Sequence, residues 1–138
     1  MTDNAKQKLI FALDVDNLED ARSWVEQLQG QVGVFKIGKQ LFTKCGPEVV
    51  NLVQDGGADV FLDLKYHDIP SVVGKACAEA AQHESVFLLT VHASGGTKMI
   101  EAAMKGARSQ SDGPSVVAVT ALTSLSPFEL TELGLELE

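Results

Sequence analysis

Five short apolar runs, each followed by a longer stretch with helical spacing, constrain this chain more than any other feature. They are Leu9 to Leu13, Val34 to Ile37, Val60 to Leu64, Val86 to Val91 and Val116 to Leu122, and their starts lie about 25 to 30 residues apart. The runs are rich in β-branched and aromatic residues and nearly continuous in hydrophobicity. That is the pattern expected of strands buried on both faces of a parallel sheet, where each crossover lays a helix against the sheet. The chain reads as a βα repeat.

The stretches between the runs carry helix signals. Asp16 with Glu19 imitates a capping box before Leu18, Ala21, Val25 and Leu28. Gly46 and Pro47 precede a helix through Val49, Val50 and Val53, which Gly56 and Gly57 end. Ser71 is a candidate cap for a helix through Ala76 and Ala80, and Gly95 and Gly96 open another through Ile100 and Met104. Ser126, Pro127 and Glu129 supply N-cap, N1 and N3 of a last helix, which ends near Gly134.

Five βα units belong either to an open doubly wound sheet or to an eight-stranded (β/α)8 barrel, the TIM barrel. A dinucleotide-binding first turn would carry GxGxxG, but Leu13 leads into Asp14, Val15, Asp16 and Asn17. The barrel is therefore expected. A complete one needs roughly 200 residues or more, so residues 1–138 are read as a partial barrel of about five units in a single domain.

Charge and cysteine content narrow the function classes. Eleven basic against 19 acidic residues give a net charge of −8, which opposes binding to a nucleic-acid backbone. A small anion remains compatible, because a local lysine cluster outweighs the global charge at short range. No segment approaches the ~18 apolar residues of a membrane helix, and the polar start MTDNAKQK has no apolar signal core, so a cytoplasmic protein is expected. Cys45 and Cys77 lack CxxC or Cys/His spacing and read as free thiols.

Polar residues stand where the runs end. These are Asp14, Lys36, Asp63 with Lys65, His92, and Thr120 with Thr123. In a parallel βα array such ends converge on one face, where the active site is built. Asp63 and Lys65 are two apart and project to the same side of a strand, with Asp68 following the turn. Burying such charges costs several kcal/mol per ion unless they are paired, so an alternating network is expected, with Lys36 as its second cation. His92 reads as a structural hydrogen-bonding residue, His67 as facing a loop or the subunit contact, and the Gly95–Gly96 turn as a tight βα connection rather than an assigned phosphate site.

The segments ALDVD (12–16), FKIG (35–38), LDLKYHDIP (62–70), TVHASGG (90–96) and VTALTSL (119–125) resemble, in order and spacing, the bacterial orotidine 5′-phosphate decarboxylases. The resemblance runs from about residue 9 to the end. It implies a cofactor-free and metal-free carboxy-lyase of pyrimidine biosynthesis, converting orotidine 5′-phosphate to uridine 5′-phosphate and CO₂. Lys65 would protonate C6, Asp63 would sit against the substrate carboxylate, and Lys36 would bridge Asp63 and the ribose. Asp14 would also bind ribose, and Thr123 would contact the pyrimidine. Asp68 and Ile69 would reach a neighbouring subunit's site, which implies a homodimer with shared active sites.

The family's phosphate-gripping residues come from its last two or three βα units, which residues 1–138 do not contain. The stretch by itself is therefore expected to be inactive. Two rival readings remain. A magnesium-dependent sugar-phosphate decarboxylase or aldolase of the same superfamily would place a metal-binding carboxylate where this chain has Lys36. A fragment acting only as an oligomerisation module would bind no nucleotide.

Overall fold

Each apolar run forms a strand in the computed structural model, which describes residues 3–135. The strands are β1 (Ile10–Ala12), β2 (Val34–Gly38), β3 (Asp59–Tyr66), β4 (Val86–His92) and β5 (Ser115–Val119). They make one parallel sheet in the order β1-β2-β3-β4-β5. Sequential order with right-handed crossovers sends every connecting helix to the same face of the sheet. Among the described residues the α-helices are α1 (Asp3–Lys6), α2 (Leu18–Leu28), α3 (Lys39–Cys45), α4 (Glu48–Asp55), α5 (Pro70–Ala80), α6 (Thr97–Ala107) and α7 (Pro127–Glu132).

The core lies between that helix layer and alternate residues of the strands. Phe35 and Ile37 of β2, Val60 and Leu62 of β3, and Leu89 and Val91 of β4 are all buried. They pack with Ala21 and Val25 of α2, Val49, Val50 and Val53 of α4, Val73 and Cys77 of α5, and Met99 and Ala103 of α6. Register explains the layering, since Phe35 pairs with Val60 and Ile37 with Leu62, which in turn pairs with Leu89.

The expectation of burial on both faces is corrected for the edge strands. Ile10 of β1 is 49% exposed and Val117 of β5 is 43% exposed. Both lie on the side of the sheet opposite the helices, because each is in register with a residue of that side, Val34 and Thr90 respectively. The described residues leave about half of each of these residues exposed.

Other corrections are local. The cap of α2 is Asn17, whose side chain accepts from the Asp20 backbone N–H at 2.8 Å, one residue on from the expected Asp16 and Glu19. Ile69 rather than Ser71 is the N-cap of α5, with Pro70 in the first turn, where proline's fixed φ suits a helix start. Helix α3 was not expected; it follows β2 directly and buries Leu41. Strand β5 stops at Val119 rather than Leu122, because β4 ends at its partner His92 and turns into a 3-10 segment, Ala93–Gly95. At α7 the full capping box of Ser126 and Glu129 is present.

Helices α5 and α6 approach closely at glycines. A Cβ on Gly106 would lie 2.1 Å from the Gly74 carbonyl oxygen, a backbone atom that cannot swing aside. Gly106→Ala should therefore destabilise the protein by about 2 kcal/mol or more, the cost of overpacking a tight core. Urea denaturation measures this, and an unchanged midpoint would contradict the close packing.

Candidate active site at the strand ends

The polar strand ends converge as expected, and β3 is where they concentrate. Leu62 pairs with Leu89, but the next paired residue on β3 is Tyr66, opposite Val91. Asp63, Leu64 and Lys65 thus face Thr90 alone. Within this bulge Lys65 has φ of 52°, the one non-glycine residue with positive φ among those described. The left-handed region costs a residue with a Cβ roughly 1–2 kcal/mol, and such outliers persist only where surrounding bonds fix them.

The bonds that fix it are short. Lys65 Nζ donates to both carboxylate oxygens of Asp63, at 2.8 and 2.7 Å. Thr90 Oγ1 donates to Asp63 Oδ1 at 3.0 Å and accepts the Lys65 backbone N–H at 2.9 Å. On the neighbouring strand Lys36 Nζ donates to Asp14 Oδ1 at 3.1 Å. Lys36 is mostly covered, whereas Asp14 is largely exposed. Gly38 is in register with Asp63, and a Cβ there would lie 3.6 Å from Lys36 Nζ, so the second ammonium sits over the residue beside Asp63.

Burial alone would push the Asp63 carboxyl up. Hydrogen bonds from Lys65 and Thr90, with the charges of Lys65 and Lys36, outweigh it and hold the group below its ordinary value of 3.8. Ionised Asp63 therefore favours the fold fully above that ordinary value, and the contribution is lost as pH falls through the lower folded one.

Two ion pairs, Lys36–Asp14 and Lys65–Asp63, thus lie on the face of the sheet opposite the helices, and the expected single network of Lys36, Lys65, Asp63 and Asp68 is not formed within this chain. Asp68 stands outside both pairs. Its Oδ1 accepts from the Ile69 backbone N–H at 2.6 Å, and it makes no ion pair among the described residues. Ile69 is 62% exposed. Thr123 lies in a turn after β5 and is exposed, with no side-chain hydrogen bond to the charged group.

The histidines lie beside the group. The rings of His67 and His92 are 5.4 Å apart. Burial, with the positive fields of His67, Lys39 and Lys65, lowers the His92 pKa and favours its neutral form. Sequence reasoning missed Thr90 as a site residue because it sits within an apolar run; its partner across the bulge is 27 residues away in sequence.

Chemically, two ammonium groups held by carboxylates on an open face suit an anionic substrate, and Lys65 is a proton donor anchored at both ends. Comparison with known proteins supplies the family. A family described as "Orotidine 5'-phosphate decarboxylase / HUMPS family" matches residues 7–136. A curated orotidine 5′-phosphate decarboxylase of Syntrophotalea carbinolica is 48% identical over 137 residues, covering 96% of this chain and 56% of that protein. That of Trichlorobacter lovleyi is also 48% identical, covering 97% and 56%. The crystal structure of orotidine 5′-phosphate decarboxylase from Lactobacillus acidophilus matches with a TM-score of 0.81 at 35% identity, over 93% of this chain and 59% of that one. The chain thus spans a little more than half the length of these relatives.

Proposed function

The chain belongs to the orotidine 5′-phosphate decarboxylase / HUMPS family, its sheet being part of a TIM barrel, and from that premise we propose that residues 1–138 form one partial-barrel domain carrying the reacting-carboxylate side of an orotidine 5′-phosphate decarboxylase. The observation that carries the reading is the Lys65 ammonium gripped by both oxygens of Asp63 within a strained bulge.

The proposed chemistry needs no cofactor or metal. The bond between C6 of the pyrimidine and the substrate carboxyl carbon breaks, CO₂ leaves, and the electron pair stays at C6. The ring delocalises that charge poorly, so the fixed Lys65 ammonium stabilises it where it develops. Lys65 then transfers its proton to C6, giving the uridine nucleotide and a neutral amine that solvent reprotonates. Asp63 faces the substrate carboxylate and repels it until CO₂ departs. Lys36 links Asp63 to the ribose hydroxyls, Asp14 binds ribose, and Thr123 contacts the ring. Asp68 and Ile69, exposed and outside the charge group of their own chain, complete the site of a second subunit in a homodimer.

The test uses a completed barrel, in which residues 1–138 are joined to the remaining βα units of the Syntrophotalea carbinolica relative. Release of CO₂ from carboxyl-labelled orotidine 5′-phosphate, undiminished by a chelator, is the expected result. A folded chimera that releases none overturns the proposal, and activity abolished by chelation transfers it to the magnesium-dependent branch. Lys36, standing where that branch needs a carboxylate, supports the first outcome.

A further inference from the structure

We infer that Thr90 is a positioning residue for this reaction, its one hydroxyl fixing both the main chain of Lys65 and the carboxylate that holds the Lys65 ammonium. The inference rests on the reading of Lys65 as proton donor. Three residues of β3 face Thr90 alone, so the ladder is interrupted where Lys65 takes its positive φ. A bulge leaves its extra residues without regular pairing, and their N–H groups need other acceptors.

Thr90 supplies one for Lys65. A hydroxyl has one proton and two lone pairs, and here both functions are committed: the proton goes to Asp63 Oδ1 and a lone pair takes the Lys65 N–H. Donating to a carboxylate polarises the oxygen and makes it a better acceptor, so the two bonds strengthen each other. The residue is 2% exposed, which excludes water as a substitute partner. Thr90 thereby ties the backbone of one charged residue to the side chain of the other, and the Asp63–Lys65 bond closes the loop.

Thr90→Val keeps the shape of the side chain and removes both bonds. The Lys65 main chain is then free to leave the left-handed region and carry its ammonium away from C6. A displacement of about 1 Å at a reacting group costs on the order of 10²-fold in rate. In the completed barrel Thr90→Val should therefore lower kcat by about 10²-fold with little change in KM, because groups that bind the rest of the nucleotide are untouched.

Thr90→Ser, which restores the hydroxyl without the methyl, should recover most of that loss. A readout independent of turnover is the carboxyl ¹³C titration of Asp63, which should move upward in the valine variant and return in the serine variant. Unchanged kcat and an unmoved titration in Thr90→Val would overturn the inference, as would valine and serine variants that fall together, since the methyl and not the hydroxyl would then matter. Should the unsubstituted barrel show no decarboxylation, the functional reading fails, while the Asp63 titration still decides whether Thr90 holds the pair.

Discussion

Lys65→Ala in the completed barrel should abolish turnover to within measurement, with kcat falling about 10⁴-fold or more. General acid catalysis by one placed group contributes typically 10²–10⁴-fold, and electrostatic stabilisation of developing charge by a fixed donor a further 10²–10³-fold. In the proposed reaction Lys65 serves both purposes, and its truncation removes both. The substitution also strips Asp63 of the donor that reaches both its oxygens, so the Asp63 carboxyl should titrate higher in the variant.

Lys65→Arg separates the two contributions. Arginine keeps a cation, but a guanidinium does not release its proton near neutral pH, and its planar fork does not reproduce the Lys65 geometry. It should remain nearly as slow as the alanine variant. Single-turnover CO₂ release, with circular dichroism to verify folding, measures both. A folded Lys65→Ala protein within tenfold of the parent would remove Lys65 from the chemistry.

Residues 1–138 assayed alone should decarboxylate no orotidine 5′-phosphate, whereas the completed barrel should. The charge group at the strand ends is present in this stretch, but enzymes of this kind draw on binding energy from remote parts of the substrate to assemble the reacting geometry. By family resemblance the residues that grip the phosphate lie in later βα units. Loss of that grip should depress kcat together with affinity, not affinity alone.

The exposed surface makes a second, linked expectation. β1 and β5 are sheet edges, and Ile10 and Val117 are about half exposed on the face opposite the helices. Unpaired edges and exposed apolar side chains favour association, so the isolated stretch should sediment as oligomers whose size grows with concentration, and adding the remaining units by fusion should reduce this. Turnover by residues 1–138 within about a hundredfold of the completed barrel would refute the requirement for remote binding energy.

The helix ends and the strand ends differ in how legible they were. Ser126 and Glu129 announced α7 because a capping box is made by residues three apart, and the interaction is complete within the segment that encodes it. Asn17 and Ile69 displaced the expected caps by one or two positions, since several neighbouring residues could each cap and only the entry path of the chain selects one. The end of β5 was misplaced for a different reason. The run to Leu122 is apolar apart from Thr120, but a strand continues only as far as it has a partner, and β4 turns away at His92.

The candidate site divides in the same way. Asp14, Lys36, Asp63 and Lys65 were recognisable as polar residues closing apolar runs, and the βα repeat alone required those ends to lie together. By itself the sequence determined the parallel βα order and the family, because these follow from local periodicity and from motifs written along the chain. Tertiary structure decided that three residues of β3 oppose one of β4, that Lys65 is held in a left-handed conformation and that Thr90 holds it there. Register between strands is a relation between segments some 25 residues apart, fixed by packing on the shared sheet, and no pattern within either segment encodes it.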